Sequence, residues 1–259
     1  MQRLVAFTLA FFIGSFSIVA FAQSERAASS VNLAGEQRML SQRIPKLYSQ
    51  IGLNVLPSLA ASQLRVATSR FEANLTALKP LVAGSAEATR AYERLGSEWL
   101  GMKKAVSVAI SREAAEALSR QAEATLQAAE HLTQLVEVAD KSSASRAVNL
   151  AGRQSMLSQR IALNYLLRNW GVETPAVQAS LESSARDFSA GLAKLRSRED
   201  NSTDIKHELE EVAQQWEWLQ ASLSVEGAGS YRLIVAESAD AILEASDRIT
   251  HLYEQQSRP

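Results

Sequence analysis

Apolar residues recur at intervals of three and four along most of the chain, and no stretch shows sustained alternation of apolar and polar residues. This period is typical of amphipathic helices that bury one face, whereas alternation would indicate strands. Glycine and proline are few and lie mainly between the periodic segments. The pattern therefore predicts an all-α protein, with four helices in each half of the chain.

The predicted helices of the first half have short connections and cover about these residues: 24–52, 58–78, 85–110 and from 111 onward. Pro45 lies inside the first of them and cannot donate a hydrogen bond to the carbonyl of Ser41, so we expect a kink or break there. The second half has Ala162 at the same place and is expected to be straighter.

The chain contains an internal duplication. Residues 31–44, VNLAGEQRMLSQRI, return as residues 148–161, VNLAGRQSMLSQRI, with twelve of the fourteen positions identical and a constant offset of 117. Phe71 and Trp99 also have an identical residue 117 positions later, which is expected of residues in the core of each unit. A duplicated unit of four helices with short loops favours two tandem up-down four-helix bundles.

We divide the chain into a leader, residues 1–22, a first unit, residues 23–140, and a second unit, residues 141–259. Between Ser111 and Gly171 there is no proline, and small or apolar residues recur at helical spacing. We therefore expect one long continuous helix to join the two bundles end to end. A reversal within the serine-rich segment 141–145 is the alternative, and it would place the bundles side by side.

The leader begins with a basic residue, continues with an apolar run, and ends in Ala20-Phe21-Ala22. These features are typical of a secretory signal peptide that is cleaved after Ala22, which predicts a periplasmic protein. An uncleaved N-terminal membrane anchor is the alternative, because the apolar run is long. The chain has no cysteine, so an exported protein of this sequence must be stabilised by its core alone.

Composition and motifs exclude several classes of function. The chain has 27 Lys and Arg against 28 Asp and Glu, so no broad basic surface is expected and nucleic acid is excluded as a partner. The three histidines are scattered, with no metal-ligand spacing, and no catalytic triad or phosphate-binding loop is present. We therefore expect neither an enzyme, nor a metal site, nor a cofactor.

The repeated motif has a distinct chemistry when it is placed on a helix. Gly35 and Arg38 lie one turn apart, so the guanidinium can lie over the gap that the glycine leaves. Arginine presents a planar fork of donors that suits an oxyanion, and a buried arginine needs a counterion. In one interpretation a bound anion supplies that charge. In the other, Arg38 and Arg43 pair with Asp or Glu of neighbouring helices.

The motif NLAGxQRMLSQR resembles the signature of the PilJ-type domain, the N-terminal domain of type IV pili methyl-accepting chemotaxis transducers. It is also similar to the P-box of the periplasmic domains of the nitrate and nitrite sensor kinases NarX and NarQ. The resemblance covers both units. It implies a chemotaxis or signal-transduction function, and in the NarX-like sensors it implies nitrate held at a dimer seam by one arginine from each subunit.

Carried over by position, the resemblance implies that Arg38, Gly35 and Met39 bind the anion. It assigns a structural or coupling role to other motif residues, namely Asn32, Arg43, Gly152, Met156 and Arg160. The second unit departs from the pattern because Ser155 stands where the ligand arginine is expected. We therefore expect no anion site there, and a complete site only in a homodimer that forms through the first unit.

The leading expectation is an exported sensor that binds nitrate or nitrite through Arg38. Because no transmembrane or kinase segment follows the second unit, we expect such a sensor to pass its state to a membrane sensor or chemoreceptor. The rival expectation is a helical interaction or adaptor module that has no small-molecule ligand.

Overall fold

The computed structural model describes residues 7–140, 142–223 and 229–256, with side chains from Ser29 onward apart from Asp140. The described residues form eight helices and no strand: α1 Phe7–Gly52, α2 Pro57–Val82, α3 Ala86–Val106, α4 Arg112–Asp140, α5 Ser143–Asn169, α6 Pro175–Arg196, α7 Thr203–Leu223 and α8 Gly229–Gln256. The all-α prediction is therefore confirmed. The predicted leader, residues 1–22, cannot be compared with the structure. Residues 1–6 lie outside the described residues, and for the rest of the leader only the backbone, as part of α1, is described.

Each half of the chain forms one four-helix bundle, α1–α4 and α5–α8, in which consecutive helices are neighbours and the last packs on the first. The matched aromatic residues lie in the two cores, as predicted. The rings of Phe71 and Trp99 stack with centroids 4.0 Å apart, and those of Phe188 and Trp216 lie 4.5 Å apart.

Within the part of the chain that is described, no helix is both long and apolar enough to cross a membrane.

Pro45 and Pro175 affect their helices differently. The break that was expected at Pro45 is absent, since α1 continues through it to Gly52 and Ser49 donates a hydrogen bond from its hydroxyl to the Pro45 carbonyl at 2.9 Å. At the start of α6, Pro175 occupies the first helical position and Thr174 is the cap, because its hydroxyl accepts a hydrogen bond from the amide of Val177.

The expected continuous helix between the two units is wrong. α4 ends at Asp140, and Ser142 adopts an extended conformation in which its hydroxyl accepts a hydrogen bond from the amide of Ser145. Serine favours such a cap over a helix interior because its side chain replaces a missing backbone partner. The chain reverses here, so α5 packs along α1 and the bundles lie side by side. That reversal was the alternative interpretation of the sequence.

The two motif helices, α1 and α5, run parallel and close to the register of the 117-residue repeat. Near the start of the contact, Arg38 donates to Asn149, and eight residues further along α1, Lys46 donates to Gln159. At its end, Gly52 lies against the ring of Trp170. We call this contact between α1 and α5 the seam. It relates the two units as a dimer relates two subunits, although a single chain forms both.

The end of the seam generates a first prediction. A Cβ placed on Gly52 would lie 1.9 Å from the nearest ring atom of Trp170, so Gly52→Ala forces the indole to move. We expect the free energy of unfolding in urea to fall by about 1–3 kcal/mol. The control is Gly96→Ala in α3, whose Cβ would meet no atom within 4 Å and which should be neutral or stabilising. Equal stability losses in the two variants would contradict the register of the seam.

Candidate functional site at the seam

Arg38 lies wholly inside the protein, with 0% of its surface exposed. Its Nη1 donates to Glu130 of α4 at 2.8 Å, and its Nη2 donates to the side-chain oxygen of Asn149 of α5 at 2.7 Å. Its Nε donates to the carbonyl of Gly35 at 3.4 Å. The inward orientation agrees with the sequence analysis. Of the two interpretations of its charge, pairing with an acidic residue of a neighbouring helix is the one observed, because Glu130 of α4 is its counterion.

Gly35 makes room for the guanidinium of Arg38, and Gly152 lies beside it. A Cβ on Gly35 would lie 2.9 Å from Nη2, which is closer than packed atoms allow, and a Cβ on Gly152 would lie 3.8 Å from it. Met39 and Met156 follow on the same two helices and are 5% and 3% exposed. The sequence interpretation of Gly35 as the gap beneath the guanidinium is therefore confirmed.

Glu130 is shared by two arginines. Besides Arg38, it accepts a hydrogen bond from Arg153 of α5 at 3.1 Å and one from Gln134 at 3.0 Å. Burial acts to raise the pKa of Glu130, but the charges and hydrogen bonds of these neighbours outweigh it and hold the pKa below its ordinary value. Burial also lowers the pKa of Arg38, against the opposing effect of Glu130. Glu130 is therefore the ionised counterion of this part of the seam.

The second arginine of each motif crosses the seam to the other unit. Arg43 of α1 donates to Asp240 of α8 at 2.9 Å, and Arg160 of α5 donates to Glu123 of α4 at 2.8 Å. Asp240 and Glu123 are themselves 117 residues apart, so the two ion pairs are counterparts. They connect the units reciprocally, as the contacts of a symmetric dimer interface do.

Lys46 adds a buried charge on one side of the seam only. It is 0% exposed and donates to Asp240 at 2.6 Å and to Gln159 at 3.1 Å. Burial lowers its pKa to about 8, although Asp240 opposes the shift. Its counterpart 117 residues later is Leu163, so the duplication is again asymmetric.

The half of the seam around Ser155 contains a small cavity of about 40 Å³. Its walls include Gly35, Gly152, Asn32, Ser155 and Asp247. Asp247 of α8 is the counterpart of Glu130, and it accepts a long hydrogen bond of 3.4 Å from the hydroxyl of Ser155. The cavity lies where the side chain of a second motif arginine would be expected, and we call it the Asp247 cavity.

Asp247 is electrostatically unlike Glu130. Burial and the nearby charge of Glu36 raise its pKa to about 6, and Arg70 and His251 oppose that shift. Arg70 is bound to Glu36, and His251 lies 2.9 Å from Glu254, so both side chains have other partners. Asp247 therefore has no arginine bound to it, whereas Glu130 binds two.

The sequence located some of these residues and missed others. It identified Arg38, Gly35, Met39 and the exception at Ser155 from the motif. It missed Glu130 and Asp247, which lie on the last helix of each bundle and belong to no motif. Their offset of 117 was a usable signal, but nothing in the sequence indicated that these acidic residues face inward. Among the described residues, no group of three acidic or histidine side chains is arranged to hold a metal ion.

The raised pKa of Asp247 generates a second prediction. An unfolded aspartate titrates near pH 4, so the folded protein binds more protons than the unfolded chain between about pH 4 and pH 6, and its stability falls as the pH rises through that window. Asp247→Asn removes this loss. The variant should be more stable than the parent at pH 7, by on the order of 2 kcal/mol, with the difference vanishing near pH 4.

Thermal unfolding measured across pH 4–8 tests the shift. The control is Asp187→Asn, the same change at an exposed residue that lies 3.7 Å from Arg153. It should show no such pH-dependent gain. If the difference in thermal stability between the parent and Asp247→Asn does not vary with pH, the pKa of Asp247 is not raised.

Comparison with known proteins is consistent with this architecture. The family model described as "Type IV pili methyl-accepting chemotaxis transducer N-term" (PilJ) matches residues 19–125 and again residues 137–249. No curated protein and no solved structure matches the chain. The two matches cover most of the chain, and each includes one copy of the motif and the larger part of one bundle. The chain therefore belongs to the PilJ family of sensory domains found at the N-terminus of type IV pili chemotaxis transducers, and it contains two copies of that domain.

Proposed function

We propose that the chain is an exported, periplasmic sensory module that forms the paired arrangement of motif helices within one polypeptide. The conformation of the seam is recognised by a membrane signalling partner. The observation that carries this proposal is the parallel packing of α1 on α5, with reciprocal ion pairs from each unit to the other. Family membership supports a sensory rather than a catalytic function.

The contacts of Arg38 count against nitrate or nitrite as the ligand at that residue. Its guanidinium already has a carboxylate, an amide oxygen and a backbone carbonyl as acceptors. A monovalent anion brings no more charge than Glu130, and it would have to displace a carboxylate that is part of the fold. Ser155 removes the second arginine that the NarX-like arrangement requires. We therefore do not propose that Arg38, with Gly35 and Met39 beside it, binds nitrate or nitrite.

The seam also bears on the homodimer that the sequence analysis expected through the first unit. The face of α1 that carries Arg38 and Gly35 is buried by α5 of the same chain. A second chain can reach it only if the two units separate. The proposed signalling unit is therefore one chain, and its partner must use an outer surface.

A helical interaction module without a small ligand is the second candidate function. It is favoured by large apolar side chains on outer faces, among them Trp218 of α7, which is 66% exposed, and Leu100 of α3, which is 69% exposed. Aromatic residues such as Trp218 are enriched where proteins bind other proteins. In this case the outer helices bind a receptor, and the polar groups of the seam only stabilise the pair of bundles.

The paired arginines give a third prediction, on anion binding. Isothermal titration of the parent protein with nitrate should give no binding heat. Glu130→Gln leaves Arg38 and Arg153 without their shared carboxylate, so this variant should give a saturable nitrate isotherm where the parent gives none.

The matched control is Glu116→Gln on the outer face of α4, where the carboxylate pairs with Arg120 in solvent. It should behave as the parent does. Nitrate binding by the parent that is lost in Arg38→Lys would restore the original oxyanion hypothesis and remove this part of the proposal.

The buried seam gives a fourth prediction, on assembly. Sedimentation velocity of the exported chain should show a monomer, with the same distribution with and without nitrate, because the motif faces are paired internally. A dimer that appears on adding nitrate would mean that the first units of two chains pair with each other, and it would contradict the proposal.

A cellular experiment separates the two candidate functions. A strain that lacks the gene is complemented with the parent, with the seam variant Asp247→Asn, or with the surface variant Trp218→Ala, and chemotactic signalling through type IV pili is measured. A sensory module requires the seam variant to alter the response while the protein is still exported and folded. Loss with Trp218→Ala alone favours the interaction module, and no change on deleting the gene rejects both.

A further inference from the structure

The Asp247 cavity has most of the groups that hold Arg38 in the other half of the seam. Asp247 is the counterpart of Glu130 in the 117-residue repeat, and Asn32 is the counterpart of Asn149. The glycines at 35 and 152 border both sites. What differs is the cation itself, since Ser155 replaces the arginine. The cavity therefore has the counterparts of the carboxylate and the amide that hold Arg38, without the arginine. Its walls also include Arg70, which is bound to Glu36, and His251, which lies beside Glu254.

Both differences between the two copies of the motif remove positive charge from this half. Ser155 replaces the counterpart of Arg38, and Glu36 replaces the counterpart of Arg153. In the occupied half, Arg38 and Arg153 both bind Glu130. In the cavity half, no described lysine, arginine or histidine forms an ion pair with Asp247.

A groove adjoins the cavity, since the two share lining residues. It has a volume of about 260 Å³ and includes the cavity residues Glu36 and Asp247. Its apolar wall is formed by Leu40 of α1, Val66 of α2 and Leu243 of α8. A ligand can therefore place a charged group beside Asp247 and a short apolar chain along the groove.

We propose that the Asp247 cavity binds the guanidinium group of a small organic cation, with the Asp247 carboxylate as its counterion. The side-chain oxygens of Asn32 and Ser155 accept further hydrogen bonds, and the flat group lies against the two motif glycines. Any alkyl substituent extends into the groove. This deepens the proposed function, on which it rests, by naming the class of compound that is sensed at the seam.

The chemistry of the cavity favours a guanidinium over a metal ion. A planar group with donors along its edges matches a carboxylate and an amide oxygen, as Arg38 does with Glu130 and Asn149. A divalent cation such as calcium needs six or more oxygen ligands, and Asp247 is the one carboxylate here that has no cationic partner. The cavity of about 40 Å³ exceeds the space that one water molecule needs, so it admits a group of several atoms.

Isothermal titration of the exported chain with methylguanidinium chloride at pH 7.5 and low salt tests the proposal. We expect one saturable site for each chain and no site for methylurea, which has a similar shape but no charge. Asp247→Asn should weaken binding at least about tenfold, because it removes the counterion. Asp187→Asn, which removes the same charge from an exposed residue outside the cavity, should leave binding unchanged.

Ser155→Arg provides a second test, because it supplies the missing side chain. Its guanidinium should occupy the cavity and abolish methylguanidinium binding, and thermal unfolding shows whether the variant is folded. If it does not fold, the comparison of Asp247→Asn with Asp187→Asn decides the matter.

Several outcomes would overturn the proposal: equal binding of methylguanidinium and methylurea, no saturation, or an Asp247→Asn variant that binds like the parent. These are measurements on the purified chain, so they do not depend on the cellular readout. A chain that binds methylguanidinium at Asp247 but has no effect on signalling would retain this site and reject the proposed function.

Discussion

The neutralisation of one buried guanidinium determines how the two bundles fit together. Arg38 stands on α1, its carboxylate comes from α4, and its amide acceptor comes from α5. An unpaired charge at 0% exposure would cost several kcal/mol, so these three helices must keep their relative positions while the arginine is charged. Gly35 is needed because a larger residue there would occupy the space of the guanidinium. The first role of the motif is therefore structural: it packs the two motif helices around a buried charge.

Fusing two copies into one chain allows the halves of the seam to differ. In a symmetric homodimer every substitution occurs twice, so a carboxylate that loses its arginine loses it on both sides. Here Arg38 is kept on one side and Ser155 stands on the other. One half of the seam is closed by an internal ion pair, while the other has a cavity and an acid whose pKa lies near 6. Stability and ligand binding can then be assigned to different halves of one structure.

Periodicity and the repeat predicted the helices, the two bundles and the aromatic pairs, because these depend on spacing along the sequence. The motif predicted that Arg38 faces inward over Gly35. The junction was predicted wrongly because serines at 142 and 143 are compatible both with a helix and with a cap, and the packing of α5 on α1 that accompanies the cap involves residues distant in the sequence. Glu130 and Asp247 were missed because their importance depends on which helix faces the seam, and that depends on packing between residues about 92 positions apart.

The connection at residues 141–142 also affects how the protein behaves on dilution. Two separate chains would pair through their motif helices according to their concentration, and each would spend part of its time alone. Because α4 continues into α5 after so short a connection, the pairing is intramolecular and the local concentration of one unit around the other stays high. The seam therefore forms to the same extent whether few or many copies of the protein are present. A change in the seam then reflects a change in its ligands or protonation, and not in the concentration of the protein.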